Sequence, residues 1–156
     1  MRPTLGRMLR QLLLFLHLGS VIVWVGGMVF AHFCLRPAAA RVLEPPQRLP
    51  LFVAALGHFF RIVAVAVALI LVTGFGMLLQ TGFALAPLGW HVMLALGLAM
   101  IGVFGHIYHG LYPRLRRHSE AADWPAAGAV LNRIRQLVAV NLVLSVCTVA
   151  AALSAR

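Results

Sequence analysis

Histidines within apolar sequence are the residues of this chain that could carry out chemistry. Six of its seven histidines, all except His118, lie in or at the ends of long apolar runs. His17 and His32 are 15 residues apart in the first run, and His91 and His106 are also 15 apart in a later one. Ionisable side chains inside a membrane segment are costly and are usually functional. An imidazole in such a place is a ligand for haem iron or for copper.

Four apolar runs long enough to cross a bilayer must position these histidines. The chain has 156 residues, of which 62% are hydrophobic and 10% are charged, a composition that excludes an ordinary soluble domain. The predicted spans cover about residues 9–35, 51–79, 85–111 and 134–153, because about 20 apolar residues cross the hydrocarbon core. We therefore predict an all-α fold, an integral membrane four-helix bundle that forms one transmembrane domain over residues 1–156.

The arginines predict the orientation of this bundle. The net charge is +10 and its positive part comes from arginine alone, so in a membrane protein it reports topology and we expect no nucleic-acid partner. The side that carries the predicted loops 36–50 and 112–133 holds eight arginines, and the side of the termini holds four. The positive-inside rule therefore predicts cytoplasmic loops and periplasmic termini in a bacterial inner membrane. The first loop has four prolines and is expected to be irregular, whereas a helix capped by Asp123 should lead into the fourth span.

Spans one and three run in the same direction, so their histidines are expected at two matching depths. At a rise of 1.5 Å per residue the two levels are about 22 Å apart. The first interpretation is therefore one or two b-type haems, for transmembrane electron transfer or redox chemistry. His17 and His91 would hold the outer haem, and His32 and His106 would hold the inner one.

Further residues would complete these two haem sites. His58 and His109 are alternative ligands on the cytoplasmic side, and Arg10 and Arg61 are cations that can pair with haem propionates. A haem protein of this kind would exchange electrons with a quinone or another redox partner, and it could act as a haem-dependent oxidoreductase. A homo-oligomer in the lipid bilayer is also compatible with this interpretation.

Copper is the second interpretation of the same residues. Imidazole, thioether and thiolate groups are copper ligands. His17 and His91 lie within spans, as do Met28, Met93 and Met100, and Cys34 is close to His32. His106 and His109 are three residues apart, so that they face the same side of a helix and can share one ion. The third interpretation is a structural membrane subunit without a metal, in which the histidines lie at the membrane interface.

Two motifs resemble known families of membrane proteins. HLGSVIVWVGGMVF, which begins at His17, and GWHVMLALGLAMIGVFGHIY, which contains His91, resemble helices of the CopD (copper resistance D) family. This resemblance implies a short four-span protein of the bacterial inner membrane, associated with copper uptake or tolerance. The same helices resemble HemJ-type protoporphyrinogen oxidases, in which the histidine that matches His17 is a haem ligand. The HemJ pattern Trp-x-His-x-Lys is not met, because the chain contains no lysine.

Overall fold

Six α-helices make up most of the protein, in a computed structural model that describes residues 2–154. Among these residues there is no β-strand, and Arg156, which was counted for the orientation, lies outside them. Short π-helical segments join α1 to α2 and α4 to α5, and a short 3-10 turn precedes α4. In chain order the elements are α1 (Arg2–Phe30), a π segment (Ala31–Leu35), α2 (Arg36–Val42), α3 (Pro45–Thr81), the turn (Phe83–Leu85), α4 (Leu88–His106), a π segment (Ile107–Leu111), α5 (Tyr112–Glu120) and α6 (Trp124–Ser154).

Four continuous helical stretches are long and apolar enough to cross a membrane. Large apolar side chains such as Phe15, Ile22 and Leu79 are exposed on their outer faces, where lipid would cover them. The chain is therefore a multi-pass membrane protein that resides in a lipid bilayer, and the predicted all-α four-span fold is confirmed. The stretches are Leu5–Val42, Pro45–Thr81, Leu88–Glu120 and Trp124–Ser154.

The segments predicted as loops, 36–50 and 112–133, are largely helical, so the expectation of an irregular first loop was wrong. Three of its four prolines lie in the first turn of a helix, and Pro50 lies within α3 without interrupting it. Pro37, Pro45 and Pro113 each stand at the first or second position of a helix. The missing N–H of a proline costs nothing there, because the first turn has no intrahelical partner for it.

Asp123 caps the last helix, as the sequence predicts. Its carboxylate oxygen Oδ1 accepts a hydrogen bond from the backbone N–H of Ala126, 3.2 Å away. This bond satisfies one of the N–H groups that the first turn of a helix leaves free. The helix α6 then runs without a break from Trp124 to Ser154, so the expected helix leading into the fourth span is confirmed.

The same succession of elements occurs twice in the chain, over residues 2–81 and 88–154. Each half has a long helix, a π segment, a short helix with proline as its second residue, and another long helix. Within each half the long helices pack together, α1 on α3 and α4 on α6. The halves meet in a buried core that includes Phe60 and Phe104. We call the end where α1 begins and α6 ends the terminal end, and the opposite end, with α2 and α5, the arginine-rich end.

Candidate metal site in the central cavity

A cavity of about 180 Å³ lies between the four long helices, in the half of the bundle nearer the terminal end. Every long helix contributes to its wall: His17 from α1, Gly74 from α3, Met93 and Met100 from α4, and Thr148 from α6. Most of the remaining wall is aliphatic or aromatic. An apolar cavity with a few convergent polar or soft groups is the usual form of a small-ligand site.

Two contacts between α1 and α4 close this cavity along the axis of the bundle. At the terminal end the guanidinium of Arg10 lies over the ring of Trp90, 5.9 Å from its centroid. Towards the middle of the bundle the rings of Trp24 and Phe104 meet edge to face, with centroids 6.1 Å apart. Both tryptophans line the cavity. At the terminal end the cavity is therefore bounded by the Trp90 ring, over which a cation lies. At the other end it is bounded by a buried aromatic pair.

The same two contacts define the register of α1 against α4. Each joins a residue of α1 to the residue 80 positions later, 10 to 90 and 24 to 104. His17 therefore lies level with Gly97. The sulfur-bearing residues Met93 and Met100 lie about one helical turn to either side of that level. His91 lies about six residues, or roughly 9 Å, nearer the terminal end.

A hydrogen bond to Thr73 orients the His17 ring. The Thr73 hydroxyl donates to the carbonyl of Leu69, so it accepts the bond that joins it to His17 Nδ1, 3.0 Å away. The proton of the neutral ring is therefore on Nδ1, and Nε2 keeps its lone pair. Gly74 leaves room for the ring, because a Cβ at that position would lie 3.3 Å from His17 Cε1. This is the usual arrangement of a metal-binding histidine, whose second nitrogen is held by a partner.

His91 is not among the residues that line the cavity. Its Nδ1 is 3.3 Å from the carbonyl oxygen of Pro87, and its ring meets Phe83 edge to face at 4.7 Å. Arg10, which was predicted to pair with a propionate, lies over Trp90 instead. The described residues thus do not fit a haem held between His17 and His91, because the two imidazoles do not face one cavity.

The other predicted ligands are dispersed at the arginine-rich end. His106 and His109 are exposed, and His109 packs edge to face on Tyr108. His58 is also exposed and accepts a hydrogen bond at Nδ1 from Arg61, 3.1 Å away. The remaining predicted ligand is His32 on the first π segment, where its buried Nδ1 has no hydrogen-bond partner among the described residues.

Thr73 was not assigned from the sequence, and Met100 was named only as one of several thioethers that could bind copper. Thr73 is the one hydroxyl residue in the apolar run 51–79, and that isolation was a signal for a polar role. Met100 lies in a span, but nothing in its neighbourhood along the chain distinguishes it from a core residue. In the structure it is buried, and its sulfur lies 3.8 Å from the Thr148 hydroxyl, which donates its proton to the Leu144 carbonyl at 2.8 Å.

The ligand chemistry of the cavity is soft. No three His, Cys, Asp or Glu side chains come together to hold a metal ion in the part of the chain that the structure describes. One imidazole and two thioethers do share the cavity, from His17, Met93 and Met100. Thioether sulfur selects Cu(I), whereas Zn²⁺, Mg²⁺ and Ca²⁺ prefer imidazole, thiolate or oxygen ligands.

Comparison with known proteins agrees with this chemistry. A family model described as "Copper resistance protein D" matches residues 53–155, about two thirds of the chain. The chain belongs to the CopD family. The predicted resemblance is thereby confirmed, whereas the resemblance to HemJ has no counterpart among the matches. Neither the curated proteins nor the solved structures gave a match.

The CopD match includes the lining residues of three of the four helices around the cavity and leaves α1 outside. It begins at Val53 and so contains Thr73, Met93 and Met100. Helix α1, with His17, precedes the matched residues. The thioethers of the cavity and the partner of its imidazole are thus part of the CopD-like sequence, and the imidazole itself comes from the helix before it.

Proposed function

We propose that this CopD-family protein binds copper as Cu(I) in the central cavity, as cargo in copper uptake or tolerance. His17 Nε2 would be one ligand, and the thioethers of Met93 and Met100 would be the others. The observation that carries the proposal is that an imidazole held through Nδ1 shares one apolar cavity with two thioethers. Membership in a family described by copper resistance supports the choice of metal.

The cavity favours Cu(I) over other cations for two physical reasons. It contains no carboxylate, so a divalent ion there would have no compensating charge, which is costly in a medium of low polarity. Cu(I) carries a single charge and binds well to neutral sulfur and imidazole ligands. We also propose that the chain termini are periplasmic, which follows from the arginine distribution and places the cavity in the outer half of the membrane.

Direct metal titration tests this proposal. The purified protein in detergent, kept reduced, should take one Cu(I) per chain from a chromogenic Cu(I) chelator, and Zn²⁺ should not compete at equal concentration. The matched control is His109→Ala, which removes an exposed histidine that does not line the cavity. Its Cu(I) affinity should equal that of the unmodified protein.

Three results would contradict the copper proposal. Absence of Cu(I) binding would favour the structural-subunit interpretation. Binding lost in His109→Ala would move the site to the arginine-rich end. A Soret band after haem-replete expression would favour the haem hypothesis. Haem binding stays a prediction, and so do the redox partner, the homo-oligomer and the single-domain organisation.

Replacement of Thr73 by valine should lower Cu(I) affinity by about tenfold, because partners of metal-binding histidines account for roughly 10- to 100-fold in affinity. Valine keeps the shape of the side chain but cannot accept the bond from His17 Nδ1. The measurement is the same competition titration. Thr81→Val is the matched control, since the Thr81 hydroxyl likewise donates to the carbonyl four residues earlier but lies outside the cavity. Equal affinities of the two variants would disprove a positioning role for Thr73.

A further inference from the structure

A second recess lies at the arginine-rich end, between the first part of α3 and the short helix α5. Its volume is about 430 Å³ and it is open to the outside. In contrast to the central cavity its wall includes several charged and polar side chains beside apolar ones. The polar and charged residues that line it are His58 and Arg61 on α3, and Tyr112, Arg116, Ser119 and Glu120 on α5.

A hydrogen bond between the two helices builds this recess. The hydroxyl of Tyr112 donates to the backbone carbonyl of Val53, 3.1 Å away. Gly57 permits this approach, because a Cβ there would overlap the Tyr112 hydroxyl. The tyrosine ring also packs edge to face on Phe60, with centroids 5.4 Å apart. The position of α5 on α3 is therefore determined by specific contacts.

Arg61 is held in place with part of its guanidinium unused. Its Nε donates to the carbonyl of Gly57 at 3.2 Å, and one terminal nitrogen donates to His58 Nδ1 at 3.1 Å. Because His58 Nδ1 accepts, the neutral ring carries its proton on Nε2 and is a donor there. The remaining N–H groups of Arg61 have no other partner in the part of the chain that the structure describes. Such a preoriented guanidinium is suited to bind a phosphate oxygen.

Across the recess Arg116 supplies a second guanidinium. Its Nε lies 3.4 Å from Glu120, in an ion pair whose side chains are 61% and 68% exposed. Exposed pairs of this kind hold weakly, so an anion can compete for the arginine. Two arginines against one carboxylate leave the recess with a net positive charge.

The depth of the recess corresponds to the headgroups of a bilayer. A hydrocarbon core of about 30 Å takes about 20 helical residues. Counted along α3 from Leu79, an exposed apolar residue at the terminal end, about 20 residues reach Phe60. His58 and Arg61 therefore lie at the boundary between hydrocarbon and headgroups, where a lipid phosphate is the most abundant anion.

We propose that this recess binds the phosphate of an anionic phospholipid headgroup, between Arg61 and Arg116. His58 Nε2–H and the Ser119 hydroxyl are further donors in the same recess. The site is independent of the copper proposal, because it shares no residue with the central cavity. The ligand chemistry is that of a phosphate diester with one negative charge, and the lipid tails would continue along the exposed apolar face of α3.

Lipid titration of the detergent-purified protein, followed by native mass spectrometry and by thermal unfolding, tests the site. Phosphatidylglycerol should bind and raise the unfolding temperature, and phosphatidylcholine should not. The double variant Arg61→Gln/Arg116→Gln should bind phosphatidylglycerol about 30-fold more weakly, since each arginine near a membrane surface contributes about fivefold. Glu120→Gln should bind it more tightly, which keeps the test valid if the double variant does not fold.

The matched control is Arg114→Gln/Arg133→Gln. It removes the same charge from two exposed arginines of the same end that do not line the recess. Its affinity should equal that of the unmodified protein.

Equal losses in both double variants would overturn the proposal in favour of general surface charge. Equal protection by inorganic phosphate at the same concentration would overturn the lipid as the source of the phosphate. Unchanged Cu(I) binding in the Arg61→Gln/Arg116→Gln protein is expected and separates this proposal from the copper one.

Discussion

Replacement of His17 by alanine should weaken Cu(I) binding by more than about 100-fold, because even the partners of a ligand account for roughly 10- to 100-fold. The change removes the one imidazole that lines the central cavity, among the residues that the structure describes. Two thioethers would remain, which is a poorer set for Cu(I) than two thioethers with an imidazole. The measurement is competition with a chromogenic Cu(I) chelator under reducing conditions.

Two further variants make this result specific. His91→Ala should retain full Cu(I) affinity, because His91 lies against Phe83 and the Pro87 carbonyl and does not line the cavity. Met93→Leu keeps the volume of the side chain and removes its sulfur, so its affinity should fall between those of the unmodified protein and of His17→Ala. If His91→Ala lost as much affinity as His17→Ala, the two histidines would form one site, as in the haem hypothesis.

Replacement of Gly27 by alanine should destabilise the protein by about 1–3 kcal/mol, the usual cost of overpacking a well-packed contact. The ring of Phe59 on α3 lies directly against Gly27 of α1, and a Cβ at this position would overlap the ring atoms Cε2 and Cζ. The partly buried Phe59 ring, or the spacing of α1 and α3, would have to shift to make room for that Cβ. Close contacts at small residues are a general means of packing helices in membranes.

Thermal unfolding in detergent measures this effect, and the neighbouring glycine provides the control. Gly26 is exposed, and a Cβ there would meet nothing within 4 Å. Gly26→Ala should therefore be neutral or slightly stabilising, since alanine favours a helix over glycine by up to about 1 kcal/mol. A similar loss in both variants would mean that flexibility of α1 matters, rather than the contact with Phe59.

Much of the fold follows from local sequence. Four long apolar runs require four membrane-crossing helices, because a backbone in lipid must satisfy its own hydrogen bonds. Asp123 before an apolar run predicts the start of α6, because its side chain can accept hydrogen bonds from the free N–H groups of the first turn. The prolines of 36–50 were misleading, because a proline in the first turn begins a helix as readily as a later one interrupts it, and Pro37, Pro45 and Pro46 are in first turns.

The repeated organisation of the chain could not be seen in the sequence. The two halves share the order of their elements and the placement of Pro37 and Pro113 after a π segment. Helix length and packing depend on the summed apolar character of a segment, which many sequences provide equally. Comparison of residues along the chain therefore does not detect such a repeat.

The histidines of the first span were the starting point, and their types alone indicated a metal or haem ligand. Equal 15-residue spacings on two parallel spans suggested equal depths, which assumes that both helices begin at the same level. In the structure α1 and α4 are offset, so that His17 lies level with Gly97 and between the levels of Met93 and Met100. The pairs Arg10–Trp90 and Trp24–Phe104 show that offset.

By itself the sequence determined the all-helical membrane fold and the family, and it singled out His17 as a candidate ligand. Apolar length, arginine placement and single residue types are properties of one segment, and they can be read one segment at a time. Only the tertiary structure decided what His17 faces. The register between helices results from side-chain packing across the bundle. The bond of His17 to Thr73, and the cavity that it shares with Met93 and Met100, therefore became apparent only in the folded bundle.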